Sequence, residues 1–162
     1  MSYLVPANKS HGHAGTLYDW RMDPECQMQS FTEVIDDPLD FYEFYKQRYF
    51  KDGCRAWFVG DDGPFDSFLD TYRSTTLVAF VCLDTLEDAE VISVVVDPIN
   101  RGIGIGKESI RLATANARGR VVAKIKPGNT ASIKAFERTG FKVQEFVMAE
   151  WTPEMTDDNK GS

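Results

Sequence analysis

The stretch from Glu90 to Lys107, EVISVVVDPINRGIGIGK, constrains the fold more than any other part of the chain. A β-branched apolar run closes at Asp97-Pro98. Gly102, Gly104 and Gly106 follow, and then Ile110, Ala113 and Ala117 recur at helical spacing. A buried strand therefore runs into a glycine-rich turn that opens a helix. Glycines let backbone N–H groups approach an anion closely, and a helix N-terminus adds partial positive charge. Phosphate or pyrophosphate binding follows from that arrangement.

Three phosphate motifs compete for these glycines. A P-loop needs glycine five residues before its Gly-Lys, then Ser or Thr. Arg101 and Glu108 occupy those places, so it fails twice. The dinucleotide fingerprint finds Lys107 when started at Gly102, and Ser109 when started at Gly104. The pattern R-x-x-G-x-G fits without a gap at Arg101, Gly104 and Gly106.

The chain has 162 residues, one domain's worth. It is 43% hydrophobic and 27% charged, which excludes intrinsic disorder, collagen and a disulfide miniprotein. With 18 basic and 25 acidic residues its net charge is −7, and no basic patch offsets it, so nucleic acid is not an expected partner. No apolar run reaches membrane-spanning length, and residues 1–15 hold no secretory h-region. The expected address is cytoplasmic. Cys26, Cys54 and Cys82 are an odd, widely spaced set, read as free thiols rather than disulfide or metal ligands. His11 and His13 lack a third ligand nearby. They are read as a mobile or surface segment, and no metal is expected.

Along the chain, Thr16–Met22 reads as a strand and Pro24–Glu33 as a short helix. Asp37-Pro38 supplies an N-cap and an N1 proline for a helix carrying Leu39, Phe41, Phe44, Tyr45, Arg48 and Tyr49. That aromatic stripe is weighed mainly as core, with stacking on a base or sugar as the second reading. Strands are expected at Arg55–Gly60, Leu77–Leu83 and Glu90–Val96. The segment Phe65–Ser74 is ambiguous. After the glycine helix come a strand at Val121–Lys126, a helix capped by Asn129 and stopped by Gly140, and a last strand at Phe141–Trp151. Residues 152–162 read as a frayed acidic tail. The order is that of an α+β, mixed α/β layer fold.

Two blocks carry a resemblance to a known family. The first is Val96-Asp97-Pro98 followed by Arg101-x-x-Gly104-x-Gly106. The second places Asn129, Ser132, Phe136, Gly140 and Phe141 at matching relative spacing. Together they span about Leu77–Val147, and they resemble the GNAT family of acetyl-CoA-dependent N-acetyltransferases. The resemblance implies a single domain over residues 1–162, with an acceptor-side segment at about 16–75 and an acetyl-CoA-binding core at about 77–147. It implies a central, mostly antiparallel twisted sheet flanked by helices and splayed at the acyl-CoA site.

By the same resemblance, the backbone N–H groups of Arg101, Gly102, Ile103, Gly104, Ile105, Gly106 and Lys107 hold the CoA pyrophosphate. Val94 and Val96 lie where the strands part, and the Val94 N–H polarises the thioester carbonyl. Asn129 touches the pantetheine arm, and Phe136 lies beside it. Lys107, Lys126 or Lys134 is available for the 3′-phosphate. Glu90, on the same strand face as Val94, is either the general base or a solvent-facing strand-start residue. Phe136 stands where the family often has the tyrosine that protonates the thiolate, which leaves Tyr18, Tyr42 and Tyr45 as substitutes.

The acceptor is expected to be a small amine. Trp20-Arg21-x-Asp23-Pro24-Glu25-x-Gln27-x-x-Ser30 resembles the N-terminal segment of enzymes that acetylate nucleotide-linked amino sugars, with Met22 and Gln27 where those carry Asn and Arg. The alternatives are a peptide or protein N-acetyltransferase and a non-catalytic acyl-CoA sensor. Related proteins often dimerise, so a homodimer is an expectation.

Overall fold

The fold is given by a computed structural model that describes residues 1–62, 76–144 and 148–153. The chain runs β1 (Ser2–Pro6), α1 (His11–Arg21), α2 (Pro24–Gln29), α3 (Pro38–Tyr49), β2 (Cys54–Asp61), β3 (Thr76–Thr85), β4 (Glu90–Val96), a 3-10 turn (Pro98–Asn100), α4 (Ile105–Thr114), β5 (Val121–Lys124), α5 (Thr130–Arg138), β6 (Lys142–Gln144) and β7 (Met148–Trp151). One sheet takes all seven strands in the order β1-β2-β3-β4-β5-β7-β6. Every neighbouring pair is antiparallel except β4 and β5, which are parallel. The mixed α/β class and the mostly antiparallel sheet are those expected.

Alternation along the central strands sorts the core into two layers. Val81, Leu83 and Ile92 point to one face, where Ile110 of α4 and Phe136 of α5 cover them. Phe80 and Cys82 point to the other, under Leu17 of α1 and Tyr45 of α3. Both faces of the middle strands are buried, so β3 reads as a continuous apolar run rather than an alternating one. The aromatic stripe of α3 is core: Phe41, Tyr45 and Tyr49 are buried.

Helix starts follow local chemistry. The Asp37 carboxylate accepts from the N–H groups of Leu39 at 2.8 Å and Asp40 at 3.0 Å, and Pro38 holds the first helical position. The Asp23 carboxylate caps α2 through Cys26 N–H at 3.1 Å. α4 is different. Its N-cap is Gly104 at φ +88°, and no side chain caps it.

Two expectations are corrected. Thr16–Met22 is helix, not strand, because Ser10 caps α1 through His13 N–H at 3.1 Å and puts Ala14, Leu17 and Trp20 on one buried face. Thr16, Tyr18 and Trp20 are β-formers at alternate positions, and tertiary packing overrides them. The histidines lie in the first turn of α1, where His11 is exposed, as the surface reading has it: His11 stacks on Tyr42 with ring centroids 4.0 Å apart, and the His13 ring accepts from Asn8 N–H. The final strand is two antiparallel strands, since Lys142 pairs with Glu150 and Gln144 with Met148, which requires the chain to reverse between them. In addition, β1 pairs along β2 where no strand was expected. The segments Phe65–Ser74 and Glu154–Ser162 lie outside the described residues.

Replacing Asp37 by Ala should remove the cap of α3 and lower stability by about 1 kcal/mol. The check is the urea midpoint at unchanged slope.

Candidate active site

β4 and β5 are paired over two residues only, Glu90 with Val121 and Val91 with Val122. Beyond Val91 the strands have no registered pairing among the described residues. Which backbone groups face the resulting gap follows from two hydrogen bonds. The N–H of Asp97 donates to Val78 C=O at 2.9 Å, on the β3 side, and that of Glu90 to Arg120 C=O at 2.8 Å, on the β5 side. Backbone donors alternate sides along a strand. The N–H groups of Val94 and Val96, beyond the last pairing, therefore point into the gap.

The turn that follows is built by its acidic and glycine residues. The Asp97 carboxylate accepts from Ile99 N–H at 3.2 Å and Asn100 Nδ2 at 3.2 Å, fixing the bend after β4. Gly102 and Gly104 sit at φ +81° and +88°, in the left-handed region that side chains resist. Nothing lies within 4 Å of where a Cβ would stand at either, so space is open there. The first intrahelical bond is Glu108 N–H to Gly104 C=O at 3.1 Å. The N–H groups of Ile105, Gly106 and Lys107 thus have no acceptor within the helix. Ile103 is 70% exposed at the tip of the turn. These groups could hold an anion through backbone donors and the helix dipole.

The Arg101 side chain turns away from this loop. Its guanidinium pairs with Asp23 Oδ2 at 2.9 Å and Glu25 Oε2 at 3.1 Å, at the start of α2. Those contacts help hold the Asp23 carboxyl below its ordinary range, after the backbone N–H of Cys26. Lys126, just past β5, donates from Nζ to Met28 C=O at 2.8 Å near the other end of α2 and lies over the Phe31 ring. Helix α2 is therefore strapped to the segments leaving both parted strands. Lys107 and Lys134 are exposed.

Glu90 does not face solvent. It is 5% exposed, and both carboxylate oxygens are engaged. One accepts from Arg55 at 2.5 Å and the other from Arg118 N–H at 2.7 Å. The solvent-facing alternative for Glu90 is corrected on this geometry. Three tyrosine hydroxyls are likewise engaged: Tyr18, Tyr42 and Tyr45 donate to the carbonyls of Asp36, Lys9 and Asn8. Asn129 spends its side-chain oxygen capping α5 through Ser132 N–H at 3.2 Å, which leaves its amide nitrogen to donate outward. Phe136 is buried and meets Phe141 edge-on at 4.9 Å.

Sequence reasoning missed the pairs that register creates. Arg55–Glu90 and Arg101–Asp23 join distant segments, and no local spacing signals them. The same holds for Cys54 and Cys82. Their sulfurs lie with an Asp84 oxygen inside a 4.8 Å cluster. The Cys82 hydrogen bond pulls the Cys54 thiol down and, with burial, pushes Cys82 up. Arg48 already holds Asp84 through two bonds, at 2.8 and 2.5 Å, and so supplies the cluster's positive charge.

A cleft of about 320 Å³, counting its open mouth, lies where the end of α1, α2 and the start of α3 meet. Arg21, Met22, Cys26, Glu33, Ile35 and Phe41 are among its lining residues. Among the described residues no helix is long and apolar enough to cross a membrane.

Comparison with known proteins places this geometry. The chain is similar in structure to the aminoglycoside acetyltransferase AAC(6')-Ib in complex with coenzyme A, at TM-score 0.75 and 12% identity, covering 99% of this chain and 100% of that one. It is similar to the spermidine N-acetyltransferase from Vibrio cholerae in complex with CoA and spermine, at TM-score 0.75 and 13% identity over 95% and 96% of the two chains. A domain from Methanocaldococcus jannaschii matches at TM-score 0.71 and 19% identity over 94% and 99%. A search of curated protein sequences finds no match. The family model described as "Acetyltransferase (GNAT) family" matches residues 27–141, most of the chain. By that match the chain belongs to the GNAT family of acetyltransferases.

Proposed function

We propose that this protein transfers the acetyl group of acetyl-CoA to the nitrogen of a small amine. One observation carries the reading: the parallel strand pair parts after two residues, and the strand bordering the gap leads directly into an uncapped helix N-terminus. A pantetheine arm has amides that can pair with an exposed strand edge, and its pyrophosphate needs converging N–H donors. This protein offers both in sequence, with room at Gly102 and Gly104. The two neighbours solved with CoA support the choice of co-substrate.

In this reading the N–H groups from Arg101 to Lys107, chiefly those opening α4, bind the pyrophosphate. The N–H groups of Val94 and Val96 align the arm, and the Asn129 amide borders it. The acceptor nitrogen, neutral after losing a proton to solvent, attacks the thioester carbonyl carbon. The Val94 N–H stabilises the negative charge that develops on the carbonyl oxygen. The C–N bond forms, the attacking nitrogen gives up its second proton to solvent, the C–S bond breaks, and the sulfur leaves as thiolate. Phe136 offers no proton, and none of the three tyrosine hydroxyls is free to. Glu90 acts as a positioning residue that holds β4 to β5 where the gap begins.

Calorimetry with acetyl-CoA and a thiol-release assay over a panel of small amines test the function. Micromolar or tighter binding with amine-dependent thiol release is expected. A folded protein that binds no acetyl-CoA overturns the reading. Gly104→Val should weaken acetyl-CoA binding by at least ~10-fold, since a β-branched residue resists φ +88° and fills the space beside the donors. Unchanged affinity in the folded variant removes the pyrophosphate assignment.

Glu90→Gln should cost of order 3 kcal/mol of stability, because Arg55 loses its buried counter-charge. The pH–rate profile should keep its shape. Intact stability with a ~10²–10⁴-fold turnover loss that recovers at high pH would instead make Glu90 the base.

A further inference from the structure

We propose that Arg21 selects the acceptor by its anionic group, so that the acceptor is an amino carboxylic acid with an apolar side chain. The proposal rests on the acetyltransferase reading above and names the substrate class of the same site. Arg21 ends α1 and lines the cleft, half-buried. Its guanidinium lies near the Phe41 and Phe44 rings, 5.8 and 5.6 Å from their centroids. Nη1 donates to the Tyr49 hydroxyl at 3.1 Å, and Nη2 to the Thr32 hydroxyl. Burial pushes the Tyr49 phenol up to about 12, so this partner is neutral and cannot serve as a counter-ion.

Arg21 has no carboxylate partner among the described residues, in a chain with seven more acidic than basic residues. Arg48, Arg55, Arg101, Arg111 and Arg120 are all ion-paired. Of the acids near it in sequence, Asp23 and Glu25 are held by Arg101, and Asp19 makes no ion pair with it. Glu33 lines the same cleft without an ion pair to Arg21. A guanidinium has five N–H donors in a planar fork, and only two are used here. The hydroxyls and rings fix the orientation of that fork while leaving its charge unmatched. A planar fork held this way suits bidentate binding of a carboxylate.

The remaining lining decides the rest of the ligand. Met22, Ile35 and Phe41 give the cleft an apolar wall against which a hydrocarbon or aryl side chain can lie. The same Arg21 charge disfavours polycations by like-charge repulsion. That separates this cleft from what two of the neighbours are named for, aminoglycosides and spermidine. Position favours transfer: α1 packs against β4, and α2 is strapped by Arg101 and Lys126 to the segments leaving the parted strands.

The test is steady-state thiol release with leucine, phenylalanine and methionine, their carboxamides, spermine and kanamycin. Free acids should exceed their amides by about 10²-fold in kcat/KM, mostly through KM, the usual worth of hydrogen bonds to a charged group. Arg21→Gln should bring the acid-to-amide ratio towards one while acetyl-CoA affinity, read by calorimetry, holds. Arg21→Lys, which keeps the charge and loses the fork, should lie between the two, so the test survives if the glutamine variant fails to fold. Acetylation of spermine or kanamycin with the acids inert overturns this proposal and leaves the acetyltransferase reading standing. A ratio unmoved by both Arg21 substitutions also overturns it. Failure of acetyl-CoA to bind the wild-type protein overturns both.

Discussion

The parallel contact between β4 and β5 is two residues long, and the Glu90 carboxylate holds it closed. A buried carboxylate is costly unless its charge and lone pairs are met. Here Arg55 from β2 meets one oxygen and the Arg118 N–H, just past α4, meets the other. The Glu90 N–H reaches Arg120, at the start of β5, and Arg55 also donates to Asn116 C=O at 2.8 Å. One residue, through its side chain and its own N–H, thus ties β2, β4, the exit of α4 and the entry of β5. With the strands fastened at this end, they can diverge at the other without the sheet coming apart. The divergence turns the N–H groups of Val94 and Val96 from ladder members into free donors.

A second set of ties joins the two functional halves. Arg101 presents its backbone at the glycine turn and its guanidinium to Asp23 and Glu25 of α2. Lys126 does the corresponding work from the β5 side. Helix α2 is only six residues long and has no buried residue of its own. A helix that short is marginal in isolation. Its place is set by the Asp23 cap and these two basic side chains. The walls of the cleft beside α2 therefore depend on the segments that also border the gap between β4 and β5.

What could be read in the sequence was local. The strand-glycine-helix passage at 90–107, the Asp37-Pro38 helix start and the Asn129 cap each draw their signal from residues within a few positions, and the structure has all three. α1 was misread because Thr16, Tyr18 and Trp20 alternate as a strand would, while the Ser10 cap that decides the matter lies six residues upstream of Thr16. The burial of Glu90 was not legible for a different reason. Its partner Arg55 is 35 residues away and arrives only through the β2–β3–β4 register. Arg21 could be named as part of a loose motif, but that it has no carboxylate partner among the described residues shows only in the structure.

Phe136 raises the question of how a thiolate leaves with no tyrosine to protonate it. Magnitudes answer it. A thiol titrates near pH ~8.5, so the sulfur leaves at neutral pH as a fairly stable anion, short of full protonation by only ~2 kcal/mol. A backbone donor to the carbonyl oxygen is worth about 3–4 kcal/mol, and holding amine and thioester in contact contributes ~7 kcal/mol or more. A positioned acid is thus the smallest of the three contributions for a thioester. Phenylalanine at 136 gives up that smallest part. In return its edge-on packing with Phe141 seats α5 against the α4-side core without a buried hydroxyl that would need a partner. In the proposed reading the rate then rests on how well the β4 edge and the cleft align the two reactants, and Glu90, Arg101 and Lys126 tie together the segments around them.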